Sequence, residues 1–177
     1  LFKKRVAAFL LSFIITASAL MFSTFQVKAS GWVQTSDSWY YMNNSGTKST
    51  GWIHIGGTWY YMNQNGKMVT GWINLGGKWY YLNPNGSMKT GWLSYGGKWY
   101  YLNPNGDMAI GWVLYNGKWY YMNKNGDMAV GWLQYNDKWY FLYYTSGEMA
   151  ANTKVDIYNF DANGVWVSTD LIVTGIE

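Results

Sequence analysis

The chain has no cysteine, one histidine and two prolines among 177 residues. Without cysteine there is no disulfide frame, thiol nucleophile, Cys-ligated zinc or lipidated N-terminal cysteine. With His54 alone, every mechanism that needs two histidines is gone. Charge is scarce as well, since Asp, Glu, Lys and Arg make up 12%. No Ser-His-Asp set, phosphate loop or metal-ligand spacing occurs. The expectation is a chain that is not an enzyme and carries no metal and no cofactor. What abounds is aromatic: 13 Trp, 17 Tyr and 7 Phe, or 21%. Disordered chains are poor in aromatics, so the low charge belongs to a folded protein.

Residues 1–29 read as an address. Lys3, Lys4 and Arg5 precede an apolar run from Val6 to Phe22, and Val27-Lys28-Ala29 offers small residues for cleavage after Ala29. This is the pattern of a secretory signal peptide; an uncleaved anchor is the rival reading. The segment holds four of the 13 basic residues, so 13 − 4 = 9 remain against 9 acidic ones. The mature chain is formally neutral, which removes the electrostatic support for a nucleic-acid partner. It contains no transmembrane segment.

The rest of the chain repeats itself. Gly-Trp recurs at Gly31, Gly51, Gly71, Gly91, Gly111 and Gly131, and Trp-Tyr recurs at Trp39, Trp59, Trp79, Trp99, Trp119 and Trp139, every twenty residues. Periods of this length signal stacked repeats. Six units fill 31–151, the sixth with one extra residue near Tyr144, and a degenerate seventh follows in which Asn152-Thr153 replaces Gly-Trp. The division is thus a leader over 1–29, a repeat module over 30–164, and a tail over 165–177 that caps the stack or pairs two copies into a homodimer.

Each unit carries two turn signals. Gly76-Gly77, Gly96-Gly97 and Asn116-Gly117 lie between short apolar runs and mark two-residue hairpin turns. Asn83-Pro84-Asn85-Gly86 and Asn103-Pro104-Asn105-Gly106 mark the links between hairpins. A lone hairpin is marginal in water, so stability must come from stacking. The fold class is all-β, a solenoid of stacked hairpins.

The turn also fixes the pairing. With Gly76-Gly77 at the tip, Leu75 faces Lys78, Asn74 faces Trp79, Ile73 faces Tyr80, and Trp72 faces Tyr81. Alternation along strands then puts Trp72, Trp79 and Tyr81 on one face, and Ile73, Leu75, Tyr80 and Leu82 on the other. The second face, with Leu93, Tyr95, Tyr100 and Leu102 in the next unit, is the expected inner core. The first, with two Trp per unit, is expected to build aromatic cages between consecutive hairpins. Such cages hold quaternary ammonium groups by cation–π attraction. A trimethylammonium head donates no hydrogen bond, so it needs ring faces rather than carboxylates.

Units such as GWLSYGGKWYYLNPNGDM resemble the choline-binding repeats of Gram-positive surface proteins, found in autolysins and adhesins of pneumococcus-like streptococci and their phages. The resemblance covers nearly all of the chain after the leader. It implies a left-handed superhelix of hairpins, with choline held by two Trp of one unit and a Tyr of the next. Carried over by position, it implies cages of Trp32, Trp39 and Tyr61; Trp52, Trp59 and Tyr81; Trp72, Trp79 and Tyr101; and Trp92, Trp99 and Tyr121. A fifth joins Trp112, Trp119 and Phe141, where the ring lacks a hydroxyl. In a sixth, Trp132 and Trp139 meet Asn159, and a weak site or none is expected.

The function implied is non-catalytic attachment to choline-bearing teichoic and lipoteichoic acids by a protein secreted and held on the Gram-positive wall. An adhesin and a modulator of wall hydrolases both fit that role. The alternative is a glucan-binding repeat protein, whose units carry fewer Trp. Met68, Met88, Met108 and Met128 share one repeat position and either line the cages or fill gaps between hairpins. His54 occupies a variable slot and reads as surface; Asp107 and Asp127 read as solvated turn residues.

Overall fold

A computed structural model describes residues 30–169; the leader and residues 170–177 of the tail lie outside the described residues. The strands are β1 (Gly31–Gln34), β2 (Trp39–Met42), β3 (Gly51–Ile55), β4 (Thr58–Met62), β5 (Gly71–Leu75) and β6 (Lys78–Leu82). Next come β7 (Gly91–Tyr95), β8 (Lys98–Leu102), β9 (Gly111–Tyr115), β10 (Lys118–Met122), β11 (Gly131–Tyr135) and β12 (Lys138–Leu142). The last three are β13 (Thr153–Val155), β14 (Tyr158–Phe160) and β15 (Trp166–Thr169). Six two-stranded antiparallel hairpins are followed by one three-stranded sheet in the order β13-β14-β15. There is no helix among the described residues.

The register is the one that the turns dictate: Leu75 opposite Lys78, Asn74 opposite Trp79, Ile73 opposite Tyr80 and Trp72 opposite Tyr81. Gly76 and Gly77 take φ of 59° and 82°, the doubly left-handed backbone whose twist matches the flanking strands. The β11–β12 turn reaches the same shape with Asn136 at 49° and Asp137 at 60°. An aspartate there carries a steric cost that glycine escapes. Asp137→Gly is therefore expected to stabilise the chain by about 0.5–1 kcal/mol. That is a rise of about 1–4 °C in thermal melting; a fall would mean that the carboxylate contributes more than its backbone strain costs.

Hairpins join through the link turns. In each, one backbone amide reaches back to the preceding hairpin: Met68 N to Trp39 O at 2.8 Å, Met88 N to Trp59 O at 2.8 Å, and Met108 N to Trp79 O at 2.7 Å. Met128 to Trp99 and Met149 to Trp119 repeat the bond. Asp107 and Asp127 do more than meet solvent. Lys78 pairs with Asp107 at 3.7 Å, Lys98 with Asp127 at 3.3 Å, and Lys118 with Glu148 at 3.2 Å, each tying a hairpin to the link turn of the next unit. With their lysines in solvent, such pairs contribute about 0–1 kcal/mol apiece.

The core is a file along the stack. Met62, Leu82, Leu102, Met122 and Leu142, one per unit, are fully buried. The expected inner face is only partly interior. Leu93 and Leu102 are buried, Tyr100 is half-buried, and Tyr95 is 49% exposed. The reason lies in the stacking: the second face of each hairpin presses on the Trp face of the one before it. Residues near the axis bury, and those near the tip overhang.

β15 completes the last sheet by pairing with β14, with a register shift at Asn159/Phe160. Trp166 lies opposite Phe160 as Met149 lies opposite Leu142 one unit earlier.

Candidate functional site: an aromatic cage at each repeat

Cavities open between consecutive hairpins, on one repeat pattern. The first is lined by Trp32, Trp39, Tyr60, Met68, Pro84 and Asn85, and the next by Trp52, Trp59, Tyr80, Met88, Pro104 and Asn105. Further along, Trp92, Trp99, Tyr120 and Met128 meet Thr145 and Ser146, and Trp112, Trp119, Tyr140 and Met149 meet Ala162 and Asn163. The final cavity is bounded by Trp132, Trp139, Tyr158 and Trp166. Volumes run from 310 to 400 Å3, the low end of the ~300–1,000 Å3 usual for small-molecule sites. In the third unit the same rings meet: Trp72 lies 6.4 Å from Trp79 and 5.1 Å from Tyr100.

Within a cage the two Trp stand nearly perpendicular, 6.4 Å apart at 84° for Trp32 and Trp39. The third wall comes from the next hairpin. Trp32 meets Tyr60 at 4.8 Å, Trp52 meets Tyr80 at 5.1 Å, Trp92 meets Tyr120 at 4.8 Å, and Trp112 meets Tyr140 at 5.0 Å. The outer Trp of each pair remains solvent-facing, as with Trp59 at 43% exposure.

All twelve tryptophans expected at the six sites sit at these cages, but the third wall is one residue from where the resemblance puts it. Tyr61 does not close the Trp32–Trp39 cage; it packs on Trp52 of its own hairpin at 5.2 Å. Tyr81 packs on Trp72, Tyr101 on Trp92, Tyr121 on Trp112, and Phe141 on Trp132, in each case within the same hairpin. The cause is parity. Tyr61 shares the Trp face of its unit, whereas stacking turns the opposite face, with Tyr60, toward the hairpin before. The Phe at 141 therefore takes nothing from the fifth cage, whose wall is Tyr140. The sixth is corrected in the same way: Asn159 is set beside the wall position, and Tyr158 fills it. Trp166, in the place of the methionine, makes this cage wholly aromatic.

Two further parts were not anticipated. One is the lip: Pro84 and Asn85 come from the link turn two units beyond Trp32, so a cage draws on three consecutive units. The other is the double role of methionine. Met68 lines a cavity and also covers Gly86, where an added Cβ would stand 2.2 Å from Met68 Sδ. His54, at its exposed slot, lies 4.8 Å from Trp59.

None of the residues lining these five cavities is charged. Burial, reinforced by the Glu148 charge, raises the Tyr120 phenol above its usual value, so that wall stays neutral at physiological pH. At the N-terminal end Tyr40 occupies the wall position with no described hairpin before it. There Lys48 replaces methionine and sets its Nζ 3.6 Å from the Tyr40 ring centre. A wall-type tyrosine thus already hosts a cation in this chain.

Rows of uncharged aromatic cages on a hairpin solenoid define a class of repeat module, and the comparisons give the family. A family model described as "Choline-binding repeat" matches residues 49–82, 69–111 and 109–153, and one described as "Putative cell wall binding repeat" matches 30–48. The chain belongs to the choline-binding repeat family. Among solved structures, CbpJ from Streptococcus pneumoniae TIGR4 is 48% identical over 78% of this chain and 48% of its own, with a TM-score of 0.71. Choline binding protein F from Streptococcus pneumoniae is 49% identical over 79% of this chain and 48% of its own, also at 0.71. A pneumococcal cell wall endolysin from phage Cp-1, solved with choline, is 41% identical over 69% of this chain and 37% of its own, at 0.50. The chain thus spans about half or less of the length of these structures. No curated protein matches it.

Proposed function

We propose that the chain is a non-catalytic attachment module that binds choline carried on teichoic and lipoteichoic acids at the Gram-positive surface. The observation that carries this is the uncharged Trp-Trp-Tyr cage on a one-unit pitch. Ring faces attract a trimethylammonium group through their quadrupoles, at roughly 0.5–2 kcal/mol per contact. Three walls less the costs of binding leave about 4 kcal/mol, a dissociation constant on the order of millimolar. That is weak for a free ligand and useful on a polymer, where linked sites raise avidity by ~10²–10⁴. Secretion through the leader delivers the module to the surface, and free choline in excess releases it. Bound there, it competes for choline with other choline-binding surface proteins.

Intrinsic Trp fluorescence and melting temperature, titrated with choline against sodium chloride and maltose, test the reading. The expected result is a saturable spectral change and a rise in melting temperature specific to choline, because a ligand of the folded stack stabilises it. No response to choline together with a response to glucan would replace it with a carbohydrate-binding function. No response to either would leave the rings as seals between hairpins.

A further inference from the structure

The lip position of the cages is filled by Pro84, Pro104, Thr145 and Ala162 in four of them. In the repeat, the corresponding residue for the cage of Trp72, Trp79, Tyr100 and Met108 is Lys124. Its turn is docked as the others are. Met108 N bonds Trp79 O at 2.7 Å, as Met88 N bonds Trp59 O at 2.8 Å. Gly126 faces Met108 Sδ at 2.2 Å from an added Cβ, as Gly106 faces Met88 Sδ at 2.3 Å. By repeat position, Lys124 is thus the one cation among the residues that correspond to the lip. Lys124 is exposed and makes no ion pair among the described residues. The nearest carboxylate in its own turn, Asp127, is taken by Lys98 at 3.3 Å and by the Asn123 amide at 3.3 Å.

We infer that Lys124 makes the third cage selective for choline esterified to phosphate over free choline. The inference rests on the choline reading above. A free trimethylammonium group in the cage meets a like charge at the lip, which weakens it. In phosphocholine the phosphate follows the ammonium by two carbons and an oxygen, which brings an anion out of the cage to the lip. There the Lys124 ammonium supplies a charge-assisted hydrogen bond. The proline lips of the first two cages offer neither effect. Two charges about 7 Å apart in a water-like medium change affinity by about threefold, less as salt screens them. The two effects run in opposite directions for the two ligands. The preference for phosphocholine over choline at the third cage should therefore exceed that at the first two by about three- to tenfold.

The indole N–H resonances of Trp39, Trp59 and Trp79, assigned through single Trp→Phe variants, report on the first three cages separately. Each is followed in titrations of the full chain with choline and with phosphocholine. The expected result is a higher phosphocholine preference at Trp79, diminished by added salt. Lys124→Pro, which restores the lip of the first two cages, should bring Trp79 to their ratio and leave Trp39 and Trp59 unchanged. Lys124→Gln should do the same without altering the turn's backbone options. Equal ratios at all three indoles, or a ratio at Trp79 unmoved in both variants, would overturn this inference alone. Silence of all three indoles to both ligands would overturn the choline reading, and this inference with it.

Discussion

Replacing Trp39, Trp79 and Trp119 together by alanine should cut retention on a choline-bearing polymer by on the order of a hundredfold or more, with the fold intact. Each is the outer wall of a cage, and the three lie in alternate units. Each is also solvent-facing, at 39%, 43% and 41% exposure, so truncation leaves little of a hole. Their carbonyls, which accept the bonds from Met68, Met108 and Met149, belong to the backbone and stay. Single millimolar sites do not hold a protein on a wall; linked sites do, because each later contact is made at high effective concentration. Loss of alternate sites lengthens the span between those that remain, so avidity falls faster than site number. Retention on choline-coated resin, alongside circular dichroism for the fold, measures this. A drop no greater than the twofold loss of sites would mean that the cages act independently and that attachment has another source.

Gly106→Ala should cost about 2–5 kcal/mol and silence the cage of Trp52, Trp59 and Tyr80. Gly106 sits at φ 89°, left-handed backbone that alanine resists, and its added Cβ would stand 2.3 Å from Met88 Sδ. Left-handed backbone alone costs roughly 1–2 kcal/mol, and overpacking adds ~1–3 kcal/mol. Met88 must move, and it lines that cage. Gly97→Ala is the control: its φ is 73°, but nothing lies within 4 Å of the new Cβ. It should show the backbone cost alone and leave choline binding unchanged. Melting temperatures and Trp59 indole shifts separate the two variants. Equal destabilisation by both would mean that the methionine contact contributes nothing.

The sequence carried more of the fold than of the site. Hairpin tips, their register and the split of faces followed from Gly76-Gly77 and period-two alternation, because a tight turn admits one pairing. The twenty-residue period forced stacking, because one hairpin cannot bury its own face. Which face meets which neighbour is a property of the stack, and a single unit does not contain it. Hence Tyr61 stood in for Tyr60, although the alternation already put Tyr60 on the face that must oppose a preceding Trp pair. A tyrosine at that position in every unit, kept as Tyr140 beside Phe141 and as Tyr158 beside Asn159, was the signal. The lips from Pro84 and Pro104 were legible only as turn residues, since they reach a cage two units away. Trp166 stands in the methionine position through the bulge at Asn159/Phe160, which no period reveals.

The most direct test of the account is a crystal structure of the chain grown in saturating choline. The expected density is a trimethylammonium group between Trp32, Trp39 and Tyr60, repeated at Trp52, Trp59 and Tyr80 and onward to the cage of Trp132, Trp139, Tyr158 and Trp166. Empty cages at saturation, or choline seated on Tyr61, Tyr81 and Tyr101 instead, would contradict it.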